Sequence, residues 1–205
     1  MKNSIKLILV SFLCLWSTAM LTAQDIQASL DAAQSSYEGD QSLEARENLQ
    51  QALIDLNNLI GKKILDLMPA ELGNLAANST EDNVVGGTGF AGLMVSRQYG
   101  NSGEQEINVN LANESPMLTA VNAFLSNSML SGMMASQTGQ KKITVDGYKG
   151  MLEKSDSGDG PVTYTINVPL GDSLFTFEST GLDSEGEVTA MVQKMNLSKI
   201  SELLK

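Results

Sequence analysis

Apolar residues along this chain follow two different periods, and the change between them divides it. From residue 25 to residue 67 they recur at helical steps. Ile26, Leu30 and Ala33 share one stripe, and Tyr37 follows. Gly39 and Asp40 interrupt the pattern. It resumes after Ser42, a residue able to cap a helix, with Ala45, Leu49, Ala52, Leu53, Leu56, Leu59, Ile60, Ile64 and Leu67. Pro69 then stops it, because proline lacks the amide hydrogen and its ring collides with the preceding turn. Two helices joined by a short turn make an antiparallel helical hairpin, an arm over residues 24–69. Gly61 inside the second helix costs about 1 kcal/mol relative to alanine, which points to close packing at that spot.

From about residue 70 the pattern turns to alternation. Residues 93–99 (LMVSRQY) and 105–111 (QEINVNL) alternate as half-buried strands do, with GNSG between them as a hairpin turn. Pro116 opens a helix read through PMLTAVNAFLSNSMLSGMM (116–134), with Leu118, Val121, Phe124, Leu125 and Met129 on one side. Three further strands are read over 141–154, 161–170 and 173–180, joined by SDSGDG and GD turns. A helix from about Ser184 to Met195 and a short LSKISELL segment end the chain. This order predicts an α+β fold over residues 70–205. It has an antiparallel sheet of about five strands and helices packed on one face.

The first residues change the picture of the compartment. Lys2 and Lys6 precede a mostly apolar run, Leu7 to Leu21, and the small residue Ala23 suits a cleavage site before Gln24. Residues 1–23 therefore read as a secretory signal peptide, and the protein as exported, to the periplasm or beyond the cell. The run is shorter than the roughly 20 residues that span a bilayer, and no other stretch is apolar enough to do so. Cleavage removes the single Cys (Cys14) and the single Trp (Trp16), and the chain has no His. The remaining chain forms no disulfide, so packing alone must stabilise it. Losing Lys2 and Lys6 from 13 basic residues leaves 11 against 24 acidic ones, a net charge of −13. Such a surface repels nucleic acid and anionic lipid.

Without Cys or His, the mature chain cannot build a Ser-His-Asp or Cys-His nucleophile, nor an ordinary zinc site. No cofactor is implied. Paired carboxylates of a hydrolase remain open from sequence. Gly87, Gly89 and Gly92 in GGTGFAGLMVSRQYG (86–100) spell G-x-G-x-x-G. That fingerprint requires a buried strand before the loop and a helix after it, whose N-terminus holds the pyrophosphate. Here only Val84 and Val85 are apolar before the loop, and alternation follows it, so the stretch reads as a flexible loop entering a hairpin. Asp156, Asp159 and Gly160 in DSGDG match a fragment of a calcium loop but lack its distal Glu, and Asp-Gly is a hairpin signal. Met129, Met133 and Met134 form a thioether cluster suited to an irregular core or to an adaptable apolar groove.

The stretch SYEGDQSLEARENLQQAL resembles one tetratricopeptide-type unit, with Tyr37, Gly39, Ala45 and Ala52 at the matching positions. One unit is too few for a solenoid, which needs about three. The arm then packs on the rest of the chain or on a second copy. With LMP (67–69), NESPM (113–117), DGYKGML (146–152) and the closing LSKISELL, the whole resembles a group of small exported bacterial proteins. These join a tetratricopeptide-like hairpin to an α/β domain. The group has no assigned activity, so the resemblance implies architecture and location only.

The function these residues lead us to expect is non-enzymatic binding of a protein partner or an apolar small ligand. The glycine loop (Gly87, Gly89, Phe90, Gly92) and the Met-rich helix (Met129, Met133, Met134) would carry it, and the arm would offer a partner or homodimer surface. A carboxylate hydrolase and a structural envelope component are the competing classes.

Overall fold

A computed structural model of the protein describes residues 25–88, 92–101, 103–129, 131–132, 139–156, 158 and 160–205. The signal peptide read at 1–23 lies outside them. The first helix, α1, covers residues 25–38 and turns at Gly39 and Asp40 into α2 (Ser42–Leu67). Gln41, not Ser42, occupies the cap position, and its side chain makes no capping bond. Met68 turns to extended backbone and ends α2 one residue before Pro69, as the residue preceding a proline is biased to do.

Two sheets follow. A small hairpin pairs β1 (Glu71–Leu72) with β2 (Leu75–Ala76). The main sheet holds seven strands, all pairs antiparallel, in the order β3-β4-β5-β9-β8-β7-β6. Its strands are β3 (Asn83–Val85), β4 (Met94–Gly100), β5 (Glu106–Asn113), β6 (Lys141–Val145), β7 (Tyr148–Ser155), β8 (Thr163–Leu170) and β9 (Ser173–Thr180). The α+β architecture expected from the sequence is present. The strand count of about five becomes seven for two reasons. The stretch 141–154 folds back at Asp146-Gly147, where both residues have positive φ (48° and 83°), as a two-residue hairpin turn requires. Asn83–Val85 adds a short edge strand where the sequence alone suggested a loop.

The helices cover both faces rather than one. On the first face lie Val95 and Tyr99 of β4, Ile107, Val109 and Leu111 of β5, and Phe175 and Phe177 of β9, all buried. Ile64 and Leu65 of α2 close over them, with Val188 and Val192 of α4 (Glu185–Val192) and Leu197 and Ile200 of α5 (Leu197–Leu203). Ser184 caps α4 by accepting the Glu187 amide N–H. The remaining helix, α3 (Met117–Ser126), lies on the opposite face. There Val121 and Phe124 form a separate cluster with Met151 and Leu174. Side chains alternate across a strand, so Met151 and Leu174 point away from neighbours Leu152 and Phe175, which belong to the main core.

Helix α3 is also shorter than its pattern suggested. It ends at Ser126, whose hydroxyl bonds back to the Asn122 carbonyl, and Asn127 is extended. Met129 therefore stands beyond α3, in a helical stretch that resumes at Ser128 after the break.

Candidate functional site

The glycine-rich stretch is held by α2. The Gly86 amide donates to Asn58 Oδ1 at 2.7 Å, and Asn57 Nδ2 donates to the Gly87 carbonyl at 2.8 Å. A Cβ on Gly86 would lie 2.3 Å from the Ile54 carbonyl oxygen, so only glycine lets the chain pass this close to the helix backbone. At the other end of the loop, a Cβ on Gly92 would meet Asn113 Cβ at 3.1 Å. Of the G-x-G-x-x-G spelling itself, Gly87 is tied to α2 through its carbonyl and Gly92 packs closely against Asn113, while the tightest approach belongs to Gly86, just outside the spelling. The loop leaves a three-residue antiparallel edge strand and enters β4, so the chain does not run from it into a helix as the fingerprint requires. Gly89 and Phe90 lie outside the described residues.

Among the described residues, Met129 and Gly92 lie at opposite ends of α3. Gly92 sits by Asn113, just ahead of the start of α3. Met129, 84% exposed, lies past its far end, after ten helical residues, or about 15 Å. Met133 and Met134 lie outside the described residues. Asp156 of the DSGDG turn accepts the Gly158 amide, as an Asx-turn does, and Asp159 lies outside the described residues. Among the described residues, no three His, Cys, Asp or Glu side chains gather closely enough to hold a metal ion.

The sequence reading missed two features of the surface. On the second face, one row across the strands is apolar: Val85, Met94, Ala112 and Leu174 stand opposite one another in register. Helix α3 covers Leu174 but leaves Val85 and Met94 about half exposed. The next row, Ser96, Asn110, Thr176 and Asn167, is polar, and Thr176 Oγ1 donates to Asn167 Oδ1 at 2.9 Å. The second feature is a cleft of about 720 Å³ between β1–β2 and the β4–β5 turn, lined by Asn74, Asn78, Asn101, Glu104 and Gln105 among others. Neither was legible because each is assembled from segments distant in the chain.

The charged centre is structural. Arg97 forks onto Asp82 and also donates to the carbonyls of Leu65 and Met68, where α2 ends. The hydrogen bond to Asp82 raises the Arg97 pKa above its ordinary value. Tyr99 donates its hydroxyl to the Pro69 carbonyl at 2.9 Å, and burial pushes its pKa up to about 12. Together they lock the end of α2 onto β4.

Among the described residues, six of the ten exposed large hydrophobic side chains lie on the arm. Its two helices meet along a seam of small residues: Ala33 and Ser36 of α1 and Ala45 and Ala52 of α2 are buried, and Asn48 Nδ2 donates to Ser36 Oγ at 3.4 Å. Beside that seam, Leu49, Leu53 and Leu56 line one stripe of α2 at i, i+4, i+7 and are 49%, 51% and 41% exposed. Leu30 on α1 is exposed to a similar degree. Further along the same stripe, Ile60 and Leu67 rest against the main core. The stripe is thus covered where α2 meets the sheet and open where it meets only α1. No family model matches the chain, and neither a curated protein nor a solved structure is found similar to it.

Proposed function

We propose that this chain is a non-enzymatic, exported binding module that holds a protein partner against its helical arm. The observation that carries the reading is the open stripe of Leu49, Leu53 and Leu56. Soluble proteins keep scattered leucines at the surface, but a contiguous row beside a helix–helix seam marks an interaction face. Covering the exposed half of three leucines is worth about 3 kcal/mol before the cost of association. The spacing i, i+4, i+7 is the anchor pattern by which a helix face meets another helix.

Native mass spectrometry of the gently purified exported protein tests this reading. A complex with a second polypeptide, lost in the Leu49→Glu/Leu53→Glu variant while circular dichroism is unchanged, supports it. A complex that survives both substitutions moves the interface off the arm and overturns it. A second reading, an apolar small ligand, is favoured by the half-open row of Val85 and Met94. Its signature in the same spectrum is a small added mass lost in Met94→Asp.

A further inference from the structure

The charge distribution of the arm specifies more than apolarity. Residues 25–58, the part of the arm ahead of Lys62 and Lys63, hold seven acidic side chains and one basic one, Arg46, a net of −6. That is more than half of the −11 of the full chain, in 34 residues. Three of these carboxylates accept from a glutamine amide one turn earlier on their own helix: Asp31 from Gln27 at 2.7 Å, Glu38 from Gln34 at 2.8 Å, and Asp55 from Gln51 at 3.0 Å. Among the described residues, no lysine or arginine stands within ion-pair distance of any arm carboxylate; the three ion pairs there all lie on the sheet domain.

The open leucine stripe therefore runs between helices whose negative charge nothing in the described structure offsets. A second copy would bring another −6 against it, and like charges facing across an interface cost affinity. A partner that offers leucine-type side chains on one helix face and lysine or arginine on its flanks meets both requirements at once. We infer that the arm's partner docks through a basic amphipathic helix. This rests on the arm being the docking surface, and adds the chemistry of what docks there.

The test uses the whole mature protein and three fluorescent 18-residue peptides. One is a Leu/Lys helix with all leucines on one face. The second has the same composition in an order that destroys the face. The third keeps the pattern with Glu in place of Lys. Anisotropy should show saturable binding of the first alone. Leu49→Ser/Leu53→Ser should weaken it by about 30-fold. Asp31→Asn/Glu38→Gln/Asp55→Asn should weaken it about tenfold, with circular dichroism unchanged in both variants. Raising salt to 0.5 M should weaken it similarly, because exposed pairs are screened.

Equal binding of the Leu/Glu helix overturns the charge inference while leaving the arm as a docking face. Equal binding of the scrambled peptide shows diffuse attraction to an acidic protein and overturns the inference as well. No binding of any peptide, with a native complex still lost in Leu49→Glu/Leu53→Glu, shows that the arm docks a partner of another chemistry. No binding, with no arm-dependent native complex, overturns both readings.

Discussion

Arg97 and Asp82 face each other as a two-point ion pair, Nε to Oδ1 at 2.8 Å and Nη2 to Oδ2 at 2.5 Å, with both side chains largely buried. The remaining nitrogen, Nη1, donates to the Leu65 carbonyl at 2.9 Å and to the Met68 carbonyl at 3.3 Å. One guanidinium thus satisfies the end of α2, where carbonyls lack helical partners, and fixes the segment before β3 to β4. Asp82→Asn and Arg97→Met should each cost about 2–4 kcal/mol in urea unfolding, because each leaves a buried partner unpaired. Arg97→Lys should recover only part of the loss, since an ammonium cannot fork onto the carboxylate and reach a carbonyl together. If all three variants unfold like the wild type, the pair does not hold α2 in place.

Tyr99 sets an alkaline limit. Its hydroxyl ionises near 10 when exposed and near 12 in the folded chain, because burial penalises the phenolate. A folded pKa above the unfolded one means that the stabilisation is complete below pH 10. It is lost as pH rises through 12, when the unfolded chain has released a proton the folded chain still holds. The loss should be on the order of 2 kcal/mol. Tyr99→Phe should remove that part of the slope and cost about 1 kcal/mol at pH 7 through the Pro69 carbonyl, which then lacks its donor. Stability measured between pH 8.5 and 11 in both proteins decides it; equal slopes would count against the assignment.

What the sequence revealed, and what it hid, follows from the range of the signals. The helical hairpin, its break at Gly39-Asp40 and its end at Pro69 were readable because period, turn residues and proline act within a few positions. Strand β9 matched its reading at both ends, since the GD turn and Thr180-Gly181 bound it. The β6–β7 hairpin was hidden by continuous alternation through Asp146-Gly147, although that dipeptide was itself the turn signal. The placement of α3 could not be read at all. Its apolar stripe is the same whichever face of the sheet it covers, and the pairing of β5 with β9 settles the matter. Of the candidate site residues, Gly87 offers its carbonyl to Asn57, Gly92 packs against Asn113, and Met129 is exposed. Leu49, Leu53 and Leu56 belong to the helical stripe of an arm expected to offer a partner or homodimer surface, but periodicity alone cannot say which positions of that stripe stay uncovered.

Two helical glycines should respond with opposite signs. Replacing glycine by alanine inside a helix ordinarily stabilises by about 1 kcal/mol. At Gly61 a Cβ would come within 2.4 Å of Val84 Cγ1 and 3.0 Å of Leu93 Cδ1, where α2 crosses the sheet. Gly61→Ala should therefore destabilise by about 1–3 kcal/mol despite the propensity gain. At Gly186 in α4 the nearest atom would be Ser184 Oγ at 3.9 Å, so Gly186→Ala should raise stability by about 0.5–1 kcal/mol. Thermal unfolding of the two variants side by side checks the pair. A stabilised Gly61→Ala would show that α2 lies further from β3 and β4.

Helix α3 should come loose on its own. Its apolar support is the four-residue cluster of Val121, Phe124, Met151 and Leu174, separate from the main core on the other face. Removing the Phe124 side chain takes the largest member from a cluster too small to close around the gap, a loss of about 3 kcal/mol if α3 stays docked. If instead α3 detaches below that cost, the main core is untouched, and global unfolding moves by less. Hydrogen exchange separates the two in Phe124→Ala: protection should fall over 117–126 and persist in β5 and β9. Met129→Ser, at a site with almost no neighbours to lose, should leave both profiles unchanged. Uniform loss of protection in Phe124→Ala would mean that the two faces of the sheet unfold as one unit. The second cluster would then be part of the main core's cooperativity.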